Sequence, residues 1–368
     1  MDPRATQLAE VMVGRSLNIQ KGDKLVIAVS DLTPMDLIHE AYRLAVERGA
    51  FVELDVMGLQ LHRGRSDLGG LLRTFLKCAC EEQLTHVSDL TKAKLAWGDK
   101  FLFIIVVHDP LFLSTVDCAK LALWRSAHCI LLDAIINKTW VLTQWPTEAL
   151  AVNADMDLPS FTDFFFASCL IDYDEEAKRL QLLQDVLDAG RRVRIRAPGT
   201  DLTLGIESRL AAGTNLGRRN IPDGECFVGP EEHVTEGEVT FELPQIYDGN
   251  EIHDIHLIFR EGRVASADAS RGQDYLQALL DAHPGNRRFG ELGIGMNRAI
   301  TRYMKCILFD EKIAGTVHMA LGRSYEEERG GGKNRGSIHW DLIKDLRSPG
   351  TLVTVDERVI IRDGEVLV

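Results

Sequence analysis

Apolar positions in the first half of the chain switch between two periods. Residues 5–18 carry Leu8, Val11, Met12 and Leu17 at mostly helical spacing, and Lys21-Gly22-Asp23 then turns the chain. Leu25-Val26-Ile27-Ala28-Val29 is a short buried-strand run. Thr33-Pro34 opens a helix that runs to about Glu47, with proline at its first position. Gly49 ends it, and Phe51–Val56 and residues 101–107 read as two further strands. This strand–helix–strand rhythm predicts a mainly parallel sheet covered by helices.

The pattern changes near residue 190. Leu180, Leu182, Leu183, Val186 and Leu187 mark one amphipathic helix over 173–189, stopped by Gly190. Val193-Arg194-Ile195-Arg196 and Asp201-Leu202-Thr203-Leu204 then alternate around a Pro198-Gly199 turn, as a hairpin does. Further strand runs lie at 237–243, 255–260, 314–321, 351–355 and 358–361. The expectation is an α/β N-terminal domain with a mainly parallel sheet at 1–188, and a β-rich α+β C-terminal catalytic domain at 189–368. No GxGxxG follows the first strand, where the chain reads Ser30-Asp31-Leu32-Thr33-Pro34, and no GxxxxGK[ST] occurs. The first domain therefore reads as a scaffold without nucleotide.

Composition narrows the partners. A chain of 368 residues with 45% hydrophobic and 26% charged residues is an ordinary globular protein of about two domains, not a disordered or fibrous one. Its formal net charge of −13 argues against nucleic acid as a partner. The seven cysteines, an odd number placed mostly in apolar runs, read as free thiols in the core. Cys78-x-Cys80 lacks the second pair a zinc site needs. The first residues contain no signal-type apolar stretch, and the run at 101–107 is far short of the about 20 residues that span a bilayer. A reduced, cytoplasmic protein with no membrane segment is expected.

Four short segments of the second domain carry ligand-type residues. In Ile338-His339-Trp340-Asp341-Leu342 a strand would put His339 and Asp341 on one face and Trp340 on the other, a pairing that suits a transition metal or a surface His–Asp pair. His318 sits in the apolar strand Gly315-Thr316-Val317-His318-Met319-Ala320-Leu321-Gly322, where a satisfied core histidine is the plain alternative. Glu291 lies among small and apolar residues in Gly290-Glu291-Leu292-Gly293-Ile294-Gly295; if buried, it needs a partner. Glu225 follows a turn in Pro222-Asp223-Gly224-Glu225-Cys226-Phe227.

In this order the four segments resemble the motifs of the M29 metallo-aminopeptidases, the aminopeptidase T family: P-x-G-E-x-F, G-E-L-G-I-G, H-x-A-L-G-R-x-Y and I-H-x-D. The similarity extends to the N-terminal α/β domain. The resemblance implies that Glu225, Glu291, His318, His339 and Asp341 ligate two divalent metal ions (zinc, cobalt, manganese or magnesium). It places Tyr325 at the family's active-site tyrosine and implies a homodimer. The substrate would be a small peptide or amino-acid amide with a free N-terminus. Two ions sharing a water would bring its pKa toward neutrality and polarise the scissile carbonyl, and Tyr325 would donate to the oxyanion. Glu225 and Glu291 both remain candidates for a bridging carboxylate.

One segment departs from the pattern. The loop from Tyr325 to His339 is short and reads Glu326-Glu327-Glu328-Arg329-Gly330-Gly331-Gly332-Lys333-Asn334-Arg335-Gly336. It is either a flexible linker or a substrate loop in which Lys333 and Arg335 bind an anionic group. An oxidative alternative also stands. His318, His339 and Asp341 have the two-histidine, one-carboxylate composition of a mononuclear Fe(II) site, and dihydroxypyridine ring-cleaving dioxygenases share this fold. In that group a histidine replaces the central glutamate, whereas this chain keeps Glu291 and Glu225. A metal-stabilised binding module without turnover is the third reading.

Overall fold

Strands Lys24–Val29 and Lys100–Val106 are buried from their second residue onward. They form the middle of a five-stranded sheet in a computed structural model that describes residues 2–56, 70–213 and 216–368. The order is Phe51–Val56, Lys24–Val29, Lys100–Val106, Thr139–Trp145 and the short Asn220–Ile221, with every pair parallel. Parallel strands are covered on both faces, which is why the two central ones read as unbroken apolar runs. Val26, Ala28, Phe101 and Phe103 pack on one side with Leu131 and Ile135 of helix Cys118–Ile136. Thr139–Trp145 was not legible as a strand because the polar Thr143 and Gln144 lie inside it, both buried.

Two helix readings shift. The first helix is α-helical only over Pro3–Glu10; Val11–Ser16 is a π-helix, and Leu17 N donates to Met12 O at 2.9 Å. The second is Met35–Glu47, with Pro34 outside it as the capping residue at ψ 41°.

The chain divides into two units, Met1–Leu170 with Gly217–Pro222, and Ile171–Leu216 with Asp223–Val368. The boundary expected at 188/189 thus falls at the end of helix Tyr173–Ala189, which belongs with the second unit. Its Leu180, Leu183 and Leu187 are buried, and a Cβ on the following Gly190 would lie 2.2 Å from Val355 Cγ1.

The second unit holds two main sheets. The larger runs Arg263–Asp268, Ile255–Arg260, Glu236–Phe241, Thr200–Gly205, Arg192–Ala197, Leu352–Val355, Arg358–Arg362 and Glu365–Val366. The smaller runs His339–Asp345, Thr316–Gly322, Phe289–Gly295 and Glu225–Val228, all antiparallel. One face of the smaller sheet is apolar and packs toward the larger one. Phe289 stacks on Phe259 at 4.5 Å between ring centroids, and the Trp340 ring lies 5.4 Å from that of Tyr247.

All seven cysteines are free, but only Cys169, Cys226 and Cys306 are buried; Cys78, Cys80, Cys118 and Cys129 are exposed. The expectation of core thiols fails for these four because Cys78, Cys118 and Cys129 lie on solvent-facing sides of helices Leu71–Cys78 and Cys118–Ile136, and Cys80 caps the start of another. No helix among the described residues is long and apolar enough to cross a membrane.

Phe259 and Phe289 are almost fully buried. Phe259→Ala is expected to destabilise the second unit by about 3–5 kcal/mol, read as a lower urea midpoint. An unchanged midpoint would show that the stack is not part of that unit's core.

Candidate metal centre

Register builds the site on the other face of the small sheet. Gly293 stands opposite His318, Gly295 opposite Glu225, Ala320 opposite Asp341 and Gly322 opposite His339. With a side-chain period of two, Glu225, Glu291, His318, His339 and Asp341 share that face. A bulge at Gly290 is essential. It lets Phe289 pair with Leu321 on the apolar face while Glu291 pairs with Ala320 on the site face. A Cβ on Gly290 would lie 2.4 Å from Gly322 O.

The small residues between the functional ones make room for them. A Cβ on Gly293 would lie 1.9 Å from His318 Nε2, so the imidazole lies across the bare backbone of the neighbouring strand. His318 is fully buried, and its Nε2 lies 3.1 Å from Glu291 Oε1 and 3.3 Å from Glu225 Oε2. His339 Nε2 lies 3.5 Å from Asp341 Oδ1 and 3.9 Å from Glu291 Oε2. His339 Nδ1 sits 2.7 Å from Arg323 O, so this nitrogen carries the proton in a neutral ring and donates it to the carbonyl. In the neutral ring the Nε2 lone pair then faces carboxylate oxygens, an arrangement that needs a positive charge, a proton or a metal ion, between them.

Other atoms call for the same cation. Glu225 Oε2, Glu291 Oε2 and Asp341 Oδ1 are buried without a hydrogen-bond partner. Among the described residues, candidate ligand atoms cluster in three groups: Glu225, Glu291 and His318; Glu291, His339 and Asp341; and Glu311, His318 and Asp341. Glu291, His318 and Asp341 each belong to two of them. The two oxygens of Glu291 face two different imidazoles. Oxygen and imidazole donors of this kind suit a divalent transition metal.

The field of the site is negative. Burial pushes the Glu225 carboxyl up to about 8, against the pull of Lys312. Burial alone would lower His318, but its hydrogen bond to Glu291 and the charges of Glu225, Glu291 and Asp341 outweigh it and lift the imidazole to about 9. A proton is thus drawn to the place where a metal ion would sit.

Tyr325 lies beside this face. Its ring centroid is 5.0 Å from that of His339 and 5.8 Å from that of Phe227, and 39% of the residue stays exposed. Desolvation and the charges of Glu291 and Asp341 push its phenol above the ordinary value, so it keeps its proton at neutral pH.

The loop between Tyr325 and His339 is pinned at many points. Asn334 Nδ2 donates to Gly285 O at 2.7 Å and Gly322 O at 2.6 Å, Gly330 N to Leu210 O at 2.7 Å, and Arg329 Nη1 to Asp188 Oδ2 at 2.8 Å. This is not a free linker. Arg335 is directed to its own loop, donating to Gly332 O at 2.9 Å and approaching Glu326 at 3.5 Å. Lys333 donates its main-chain N–H to Glu232 at 2.7 Å, and the residue is exposed.

Two residues of the cluster were missed in the sequence reading. Glu311 brings a further carboxylate beside His318 and Asp341, and the fully buried Lys312 pairs with Glu225 at 2.8 Å and with Glu311. Their signal was present: Asp310-Glu311-Lys312 sets three consecutive charges between the apolar Ile307-Leu308-Phe309 and the His318 strand.

A protein-family model described as thermophilic metalloprotease (M29) matches residues 1–366. Aminopeptidase T of Thermus thermophilus is 30% identical over 91% of both chains. Aminopeptidase 2 of Geobacillus stearothermophilus is 29% identical over 70% of this chain and 71% of its own. The solved structure of wild-type AmpT from Thermus thermophilus superposes with a TM-score of 0.82 at 22% identity, covering 100% of this chain and 99% of that one. The same α/β and β-rich architecture is therefore shared.

Gly293→Ala tests the packing. The new Cβ displaces the His318 ring while leaving the apolar face of the sheet untouched. Metal bound per chain, measured by elemental analysis, should fall by at least about half while circular dichroism is unchanged. Full metal content would show that His318 does not depend on the bare backbone.

Proposed function

The chain belongs to the M29 family of thermophilic metalloproteases, and from that membership we infer that it is a metal-dependent aminopeptidase, a hydrolase that removes N-terminal residues from peptides. We further propose that Glu225, Glu291, His318, His339 and Asp341, joined by Glu311, hold two divalent ions, with Glu291 between them. The observation that carries this reading is the chain of three overlapping ligand groups, in which Glu291, His318 and Asp341 each belong to two; Glu291 is placed between the ions because its two oxygens face two different imidazoles. Four carboxylates with one buried lysine leave a net negative charge that suits two divalent ions better than one. The oxidative iron alternative gains no support: His318 has two glutamates within 3.3 Å, more carboxylate than a two-histidine, one-carboxylate site contains.

Bound there, the ions would supply Lewis acidity and a water ionised near neutral pH. The rest of the chemistry falls to the chain. His339 is held in one tautomer by Arg323 O, which keeps Nε2 available as a donor atom. Tyr325, protonated at neutral pH, donates to the oxyanion that forms as the carbonyl carbon becomes tetrahedral. Carboxylate charge not balanced within the site attracts the cationic α-amine of a free N-terminus. The pinned loop around Lys333 and Arg335 lines the approach and meets the substrate beyond its first residue.

We also propose that the enzyme works in a reducing, cytoplasmic setting, which its four exposed free thiols suit, and as a homodimer, which rests on the family resemblance.

Metal-loaded protein should release amino acids from unblocked short peptides or amino-acid amides and leave N-acetylated versions intact. Turnover of acetylated substrates at a comparable rate would sink the free-amine reading. His339→Ala or Asp341→Ala should remove metal and activity together. Tyr325→Phe should lower kcat by about tenfold or more with a smaller change in KM, because its hydrogen bond forms mainly in the transition state. An unchanged kcat would free Tyr325 of that role.

A further inference from the structure

Lys312 has no exposed surface. Its place is set by the main chain. Lys312 N donates to Phe309 O and Asn297 N donates to Lys312 O, both at 2.9 Å. The next carbonyl, Ile313 O, lies 2.1 Å from where a Cβ on Gly295 would stand, so this segment lies flush against the strand that carries Glu291. The ammonium is thereby held 2.8 Å from Glu225 Oε1 and in contact with Glu311 Oε1.

The two oxygens of Glu225 are therefore unequal. Oε1 is taken by Lys312, while Oε2 is buried, lacks a hydrogen-bond partner and lies 3.3 Å from His318 Nε2. Glu291 is different. Its oxygens face imidazoles, Oε1 to His318 at 3.1 Å and Oε2 to His339 at 3.9 Å.

We infer that Lys312 is a positioning residue of the metal centre, an internal counter-cation that competes with the metal for Glu225 and Glu311. It occupies one oxygen of each, so each can offer only the other oxygen, whereas Lys312 touches neither oxygen of Glu291 or Asp341. This inference rests on the metallo-aminopeptidase reading above. Its consequence is opposite to that of a lysine that merely holds the fold. Removing a fixed positive charge next to two cations strengthens their binding. Removing it also frees Glu225 to close on an ion with both oxygens, which weakens the Lewis acidity left for the substrate.

The test is Lys312→Met, close in length and without charge, in the cobalt- or zinc-loaded protein. Metal transfer to excess EDTA is followed together with kcat and KM. Lys312→Met should lose metal about tenfold or more slowly than wild type. Its kcat should fall while KM stays within about twofold, and Lys312→Arg, which keeps the charge, should return metal loss toward the wild-type rate. If the Met variant folds only with metal present, the measurement still stands, because it begins from the loaded protein. Faster or unchanged metal loss from Lys312→Met, when the wild type binds two ions, overturns this inference alone. A wild type that takes up no metal overturns the metal reading of the site as well.

Discussion

A cluster of carboxylates buried on one face of a small antiparallel sheet is the constraint from which the site follows. Ionised carboxylates out of water are costly unless a positive charge answers them. The protein answers part of the charge itself, through the buried Lys312 and the elevated His318. The remainder is left on oxygens without hydrogen-bond partners. Such atoms leave the face able to receive a further cation, which is what makes it a candidate metal-binding face.

The geometry that concentrates this charge depends on residues with no charge. The bulge at Gly290 turns Glu291 to the site face, and the missing side chain at Gly293 leaves the space that His318 fills. Gly295 admits the main chain of the segment that carries Lys312. On the opposite face, Phe289 stacked on Phe259 ties the sheet to its larger neighbour. One strand thus serves the core with alternate residues and the chemistry with the others. Changes in packing and changes in metal geometry are coupled through it.

The same logic separates the roles of the charged residues around the site. Residues that meet only imidazoles or have unsatisfied oxygens are available to a metal. The arginines of the neighbouring loop are occupied elsewhere: Arg335 is engaged with its own loop, and Arg329 with Asp188. The glycine-rich loop is held by buried hydrogen bonds from the Asn334 side chain to main-chain carbonyls, so it has a fixed shape.

Local pattern was enough to read much of this protein. Unbroken apolar runs mark central parallel strands because those strands are covered on both faces, and the ligand-type residues stood out because a charge among glycines and apolar residues needs a partner. The i, i+2 spacing of His339 and Asp341 already placed them on one face. Other features depend on contacts between distant segments and have no local signature. The strand Thr139–Trp145 is buried by its neighbours despite its polar residues, and helix Tyr173–Ala189 joins the second unit through packing that its own periodicity cannot specify. Glu311 and Lys312 stand in the sequence as part of a charged triplet, but only the fold brings Lys312 against Glu225. The choice of Glu291 as the carboxylate between two histidines is likewise tertiary. It is set by strand register and one bulge, and a shift of one residue would turn the same side chains into the core.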